Sequence, residues 1–107
     1  MFTPAVELNS KSGKSAELAN VINEKIVPIL QKQKGCIDEI VLVSDVEPNR
    51  VLALSFWKTK EDAERYQRDQ FKNVHETVRH LLEVDPNVPT FEVHTSTGHK
   101  IAAGKVA

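Results

Sequence analysis

Two periodicities divide the chain. From Phe2 to Leu8 the apolar residues Phe2, Pro4, Val6 and Leu8 alternate with Thr3, Ala5 and Glu7. That two-residue period predicts a strand, and Pro4, which cannot donate to a ladder, belongs at its start or on an edge. Asn9 to Lys14, NSKSGK, is a turn cluster. The period then lengthens. Leu18, Val21, Ile22, Ile26, Ile29 and Leu30 recur every three or four residues, which predicts a helix over 15–34 with one apolar stripe. Pro28 predicts a kink, because it removes a helix hydrogen bond and crowds the preceding turn. Lys32, Lys34 and Gly35 make a helix stop.

Ile37 to Asp45, IDEIVLVSD, is a second strand, apolar on both faces from Ile40 to Val43. After the turn Glu47-Pro48-Asn49, Val51 to Trp57 is a third strand, also apolar on both faces. Leu52, Leu54 and Phe56 point one way, and Val51, Ala53 and Trp57 the other. The short connection predicts an antiparallel hairpin. Thr59 is a helix N-cap with Asp62 three residues on, which places Glu61, Asp62 and Glu64 in a solvated helix start. Helix then runs to about Leu82, with Ala63, Tyr66, Phe71, Val74, Val78, Leu81 and Leu82 as its apolar positions and Asp69-Gln70 as the place for a break. A loop, Asp85 to Pro89, leads to a fourth strand, Thr90 to Thr97.

The order βαββαβ is the split βαβ, ferredoxin-like arrangement of an α+β domain with a four-stranded antiparallel sheet. The expectation is one domain over 1–107, with its core over about 2–97. The last ten residues, GHKIAAGKVA (98–107), read as a tail or an arm on a neighbouring subunit. Two helices cover one face of such a sheet. Strands two and three are apolar on both, so the uncovered face calls for a second copy and predicts a homodimer.

Composition narrows the function classes. The chain has 107 residues, 40% of them apolar, and a net charge of -1 with acids and bases interspersed. That balance argues against nucleic acid or an anionic membrane as the main partner. No apolar run approaches the ~20 residues of a spanning helix. The first residues lack the pattern of a signal peptide, so a cytoplasmic protein is expected. Cys36 is the sole cysteine, which excludes an internal disulfide and reads as a small buried residue. His75 and His80, five apart, fall on different helix faces. His94 and His99 have no metal-ligand spacing. With no glycine-rich phosphate loop either, neither a metal nor another bound cofactor is expected.

The candidate chemistry lies between Val51 and Leu82. The indole N–H of Trp57 needs a partner and could meet a substrate oxygen. His75 is a candidate general base or axial ligand, since histidine titrates near neutrality. Tyr66 could orient a phenol or quinone by stacking and through its hydroxyl.

The segments KGCIDEIVLVSD, VLALSFWKTKEDAERY and FKNVHETVRHLL resemble the antibiotic biosynthesis monooxygenase (ABM) domain family, and the resemblance spans about Phe2 to Thr97. It implies a dimeric α/β barrel with a pocket between each sheet and its helices. It also implies oxidation of a small aromatic or quinol-like molecule by O2 without metal or flavin. In the cofactor-free oxygenases of the family the strand-three Trp, here Trp57, has an Asn four residues before it and a Tyr six after. Those positions are Ala53 and Ala63 here. Arg79 is the nearest counterpart of a helix Arg. In haem-degrading members His75 matches the His, while Tyr66 lies at the helix Trp and Val6 near the strand-one Asn. The resemblance thus implies His75 as base, with Trp57, Tyr66 and Phe71 as substrate-contacting walls and donors and Arg79 as an anion stabiliser. The alternatives are a haem-binding or haem-degrading protein and a non-catalytic small-molecule-binding dimer.

Overall fold

A computed structural model describes residues 1–99. Strands β1 (Phe2–Asn9), β2 (Cys36–Val43), β3 (Arg50–Trp57) and β4 (Thr90–Glu92) form one antiparallel sheet in the order β2-β3-β1-β4. The helical segments lie between β1 and β2 and between β3 and β4, so the ferredoxin-like α+β arrangement expected from the periodicity is the observed one.

Register explains both faces. Val6 and Val41 flank Ala53, Leu8 and Val43 flank Val51, and Glu39 pairs with Ser55. Side chains alternate across a strand, so this set faces the helices together with Phe2 and Trp57. Ile40, Leu42, Leu52, Leu54, Phe56 and Phe91 face the other way. Ile40 is 38% exposed, Leu42 45% and Phe91 55%. The expected two-sided apolar character is real, and one side of it is open.

The first helical stretch is built in three pieces: α1 (Ser15–Val21), a π-helical segment (Ile22–Ile26) and α2 (Val27–Gln31). Its buried residues are Leu18, Ile22, Ile26 and Leu30, each four from the last. A four-residue step overshoots an α turn of 3.6 residues by about 40°, so a uniform α-helix would carry Leu30 off the core face. The wider π turn takes up that drift. The irregularity expected at Pro28 therefore sits one turn earlier. Pro28 itself occupies the first turn of α2, where a missing N–H costs little.

Helix α3 (Lys60–Val78) begins at Thr59, whose hydroxyl accepts the Asp62 N–H at 3.1 Å, and ends in a 3₁₀ turn, Arg79–Leu81. The break expected at Asp69-Gln70 is absent. Asp69 is exposed and Gln70 half-buried, so neither disturbs the core stripe of Ala63, Val74 and Val78. Asp62 corrects a second expectation. It is buried, not solvated, and accepts a hydrogen bond from Arg65 Nη1 at 3.0 Å. Its carboxylate packs on Gly35, which has φ +85° and where any Cβ would collide with it. Strand β4 is three residues long, not the eight of Thr90 to Thr97. Phe2 pairs with Glu92 and Val93 donates to the Met1 carbonyl, so the ladder stops where β1 stops. Of the expected tail 98–107, only Gly98 and His99 lie among the described residues. Among those residues no helix is long and apolar enough to cross a membrane.

Candidate functional site

The helices do not close completely on the sheet. Between them lies an apolar cavity, floored by Val6, Leu8, Ala53 and Ser55, walled by Ile22, Ile26 and Leu30, and roofed by α3. It leaves about 60 Å³ for the centres of water-sized molecules. One such centre takes about 10–15 Å³, so the space admits a few waters or a slim organic group. Both floor and roof carry a small residue here, Ala53 from β3 and Ala63 from α3.

Polar groups converge on this chamber from three elements. Glu39 enters from β2, Ser55 from β3, and Tyr66, Gln67 and His75 from α3. Among the described residues, Glu39 Oε2 and His75 Nε2 are both buried atoms without a hydrogen-bond partner. Burial, with the neighbouring Asp38 charge adding to it, pushes the Glu39 carboxyl up to about 8 from an ordinary 4.5. Near neutrality Glu39 is therefore largely a neutral acid. Burial, and then the Glu39 and Cys36 charges, raise the Tyr66 phenol as well. Burial followed by Glu39 pushes the Cys36 thiol up to about 11. A thiol held protonated is no nucleophile, in keeping with Cys36 as a half-buried packing residue.

Three of the residues expected at the site, Tyr66, Phe71 and His75, line the cavity. Phe71 lies parallel to the His75 ring, with centroids 6.1 Å apart and planes 4° apart. His75 stands at the mouth. Its Nε2 is 3.7 Å from Oδ1 of the exposed Asp85, and it also lines a surface groove formed with Arg79, Leu82, Glu83 and Val84. The other two residues lie elsewhere. Trp57 is fully buried, and its indole N–H donates to Ser55 Oγ at 2.9 Å, so it offers no donor to a ligand. It packs behind Tyr66, with ring centroids 5.3 Å apart. Arg79 lies outside the chamber on the exposed groove, 3.5 Å from Glu76.

Glu39 and Ser55 are the residues the sequence reading passed over. Glu39 lies just before the apolar run Ile40 to Val43, and Ser55 lies inside the apolar run of the third strand, so neither stood out. The alternation itself held the signal: Glu39 shares the phase of Val41, and Ser55 that of Ala53, so both face the helices. Among the described residues no group of three His, Cys, Asp or Glu side chains is placed to hold a metal ion.

Comparison with known proteins gives a consistent answer. The family model described as antibiotic biosynthesis monooxygenase matches residues 1–77. No curated protein matches. Among solved structures, the chain is similar to a Streptomyces coelicolor monooxygenase from the gene ActVA-Orf6, in complex with the ligand Nanaomycin D. The TM-score is 0.78 at 12% identity, over 89% of this chain and 88% of that one. A protein of unknown function from Nitrosomonas europaea gives 0.76 at 19% identity over 96% and 95% of the two chains. A conserved protein from Methanosarcina mazei Go1 gives 0.73 at 21% over 85% and 90%. At such identities these likenesses speak to the fold alone.

Proposed function

This chain belongs to the antibiotic biosynthesis monooxygenase family, and from that premise we propose that it oxidises a small single-ring phenol or quinol with O2 in the cavity between sheet and helices, using neither metal nor flavin. The observation that carries the reading is the presence of two buried, unpartnered polar atoms, Glu39 Oε2 and His75 Nε2, in a mainly apolar chamber. Convergent polar groups in an apolar pocket, one of them with a strongly displaced carboxyl, are what a proton-transfer site requires.

Size sets the substrate class. Pockets for drug-sized ligands run to about 300–1,000 Å³, against about 60 Å³ here. A single ring, admitted by a modest outward move of Phe71 and the exposed Gln67, suits the space better than a polycycle. The same limit leaves no room for a porphyrin, and Val6 and Tyr66 differ from the haem-degrading pattern, so the haem reading loses ground.

In the proposed reaction His75 takes the substrate hydroxyl proton and passes it outward past Asp85. The resulting electron-rich anion reacts with O2 at a ring carbon. For a hydroquinone, one oxygen atom enters the ring to give a hydroxyquinone and the other leaves as water. The substrate supplies all four electrons, so no further reductant is needed. Tyr66 and Phe71 hold the ring. Trp57 acts from behind by fixing Tyr66. Arg79, on the outer groove, meets the substrate only on its way in.

The open sheet face completes the reading. Ile40, Leu42, Leu52, Leu54, Phe56 and Phe91 form a contiguous apolar surface of the kind that a second copy covers, so the working unit is a homodimer. One observation favours a second reading, binding without turnover: Ala53 and Ala63 replace the Asn and Tyr that the cofactor-free oxygenases carry at those positions. Oxygen uptake with a panel of hydroquinones decides between the two. Turnover above the uncatalysed rate that depends on His75 supports oxidation. Tight binding of a panel member with no uptake supports the second reading.

A further inference from the structure

We infer that Glu39 selects the ligand, by anchoring a hydrogen-bond-donating substituent of a single-ring molecule, a ring hydroxyl above all, against the sheet side of the cavity. The inference rests on the small-aromatic reading above and adds the residue that reads the hydroxyl. Glu39 projects from β2 into the chamber, directly across the ladder from Ser55. Ser55 Oγ already accepts the Trp57 N–H, a bond that leaves its own hydroxyl hydrogen unused. Glu39 Oε2 is buried without a hydrogen-bond partner among the described residues. Leu30, Ala53, Ala63 and the Tyr66 ring line the cavity with it, and none of the chamber's other polar groups, Ser55, Gln67 and His75 among them, hydrogen-bonds to this oxygen.

A buried polar atom left unpaired is costly, and a ligand that pairs it recovers that cost. A site of this kind separates a ligand bearing a hydroxyl from its methyl analogue far better than an apolar pocket does. The polar and titratable groups around Glu39 are Ser55 beside it on the sheet, Tyr66, Gln67 and His75 from α3, and Cys36 and Asp38 on its own strand. None of them is a cation that would pair with it permanently. At neutral pH the largely protonated carboxyl both accepts from a ring hydroxyl and donates to it. Above about pH 8 it accepts only, as a carboxylate.

The test compares phenol with toluene, two rings that differ by a hydroxyl against a methyl. Their dissociation constants are measured by NMR titration on the intact protein, its Glu39→Leu variant and its Glu39→Gln variant. Using the ratio of the two constants cancels general apolar affinity. The preference for phenol should fall about tenfold in Glu39→Leu and stay within about threefold of the original in Glu39→Gln, which keeps an acceptor and a donor. In the unaltered protein the Glu39 carboxyl resonance should move when phenol is added and stay in place with toluene, which covers the case in which Glu39→Leu does not fold. An unchanged ratio in Glu39→Leu, an equal fall in both variants, a carboxyl resonance indifferent to phenol, or no binding of either probe overturns the assignment. Oxygen uptake plays no part in this test. A protein that prefers phenol through Glu39 and consumes no O2 fails the oxidation reading alone, whereas one that turns over with the ratio intact in Glu39→Leu fails this one alone.

Discussion

Replacing Glu39 by Gln should change how stability depends on pH more than it changes stability at any one pH. In the unfolded chain the carboxyl titrates near 4.5, and in the folded protein burial and Asp38 hold it up near 8. Between those values the folded state keeps a proton that the unfolded state has lost. Stability therefore falls as pH rises through this window, is unaffected by this group below about 4.5, and levels off above about 8. At about 1.4 kcal/mol for each pH unit, a rise of this size sets a ceiling of about 5 kcal/mol. Water reaching the exposed edge of this half-buried carboxyl weakens the effect, and about 2–3 kcal/mol is expected. Glutamine matches the shape and does not titrate, so subtracting its curve removes every other group's contribution. The assay is urea unfolding of both proteins at half-unit steps from pH 4.5 to 9, at one fixed protein concentration, because any dimer dissociation would otherwise enter the result. The Glu39→Gln protein should gain on the original steadily from pH 5 to 8 and then run parallel to it. A stability difference flat across that range would mean that Glu39 titrates as an ordinary surface acid and that the cavity around it is wet. The case for a site of unusual protonation would then collapse.

Four further outcomes follow from the geometry. His75→Ala should lower kcat for any hydroquinone that supports O2 uptake by on the order of 10²–10⁴ while leaving the unfolding midpoint nearly unchanged, and an undiminished kcat would remove His75 from the mechanism. Trp57→Phe strips a fully buried ring system of its N–H and leaves Ser55 without its donor, so it should cost about 2–3 kcal/mol of stability. A loss of turnover with stability intact would show that the indole reaches the substrate after all. Leu54→Lys places a charge in the centre of the open apolar sheet face. By light scattering it should convert a particle of twice 12.0 kDa into one of 12.0 kDa or an unfolded chain, and a native protein that is already monomeric would refute the covering copy. Gly35→Ala must adopt φ near +85° and push on the Asp62 carboxylate, at a cost of about 2–4 kcal/mol. Asp62→Ala in the same chain should recover part of that loss, and a fully additive double mutant would show that the two do not press on each other.

Why these residues and not others were legible has a physical answer. The α+β order, the Thr59 cap and the Gly35 stop follow from periodicity and capping, which are local properties that a single sequence displays in full. The open sheet face was readable for the same reason, since Leu52, Leu54 and Phe56 announce their side by spacing alone. Helix continuity past Asp69-Gln70 and the π turn at Ile22–Ile26 were not, because each is decided by which face a residue presents to the core. The site divides along the same line. Tyr66, Phe71 and His75 recur at four- and five-residue steps on one helix and were found together. Trp57 was misplaced because its partner, Ser55, lies two residues away on the same strand face, where a short Oγ contact satisfies the N–H that seemed to need a substrate. Glu39 was hidden by its surroundings: the second of two adjacent acids at a strand entry looks like a surface charge until the register sets it opposite Ser55, in one cavity with Tyr66. What makes Glu39 informative is the conflict between levels. Strand propensity and core packing both disfavour an acid at an inward position, and nothing among the described residues neutralises it. A position that costs stability in this way is kept where the group has something to bind.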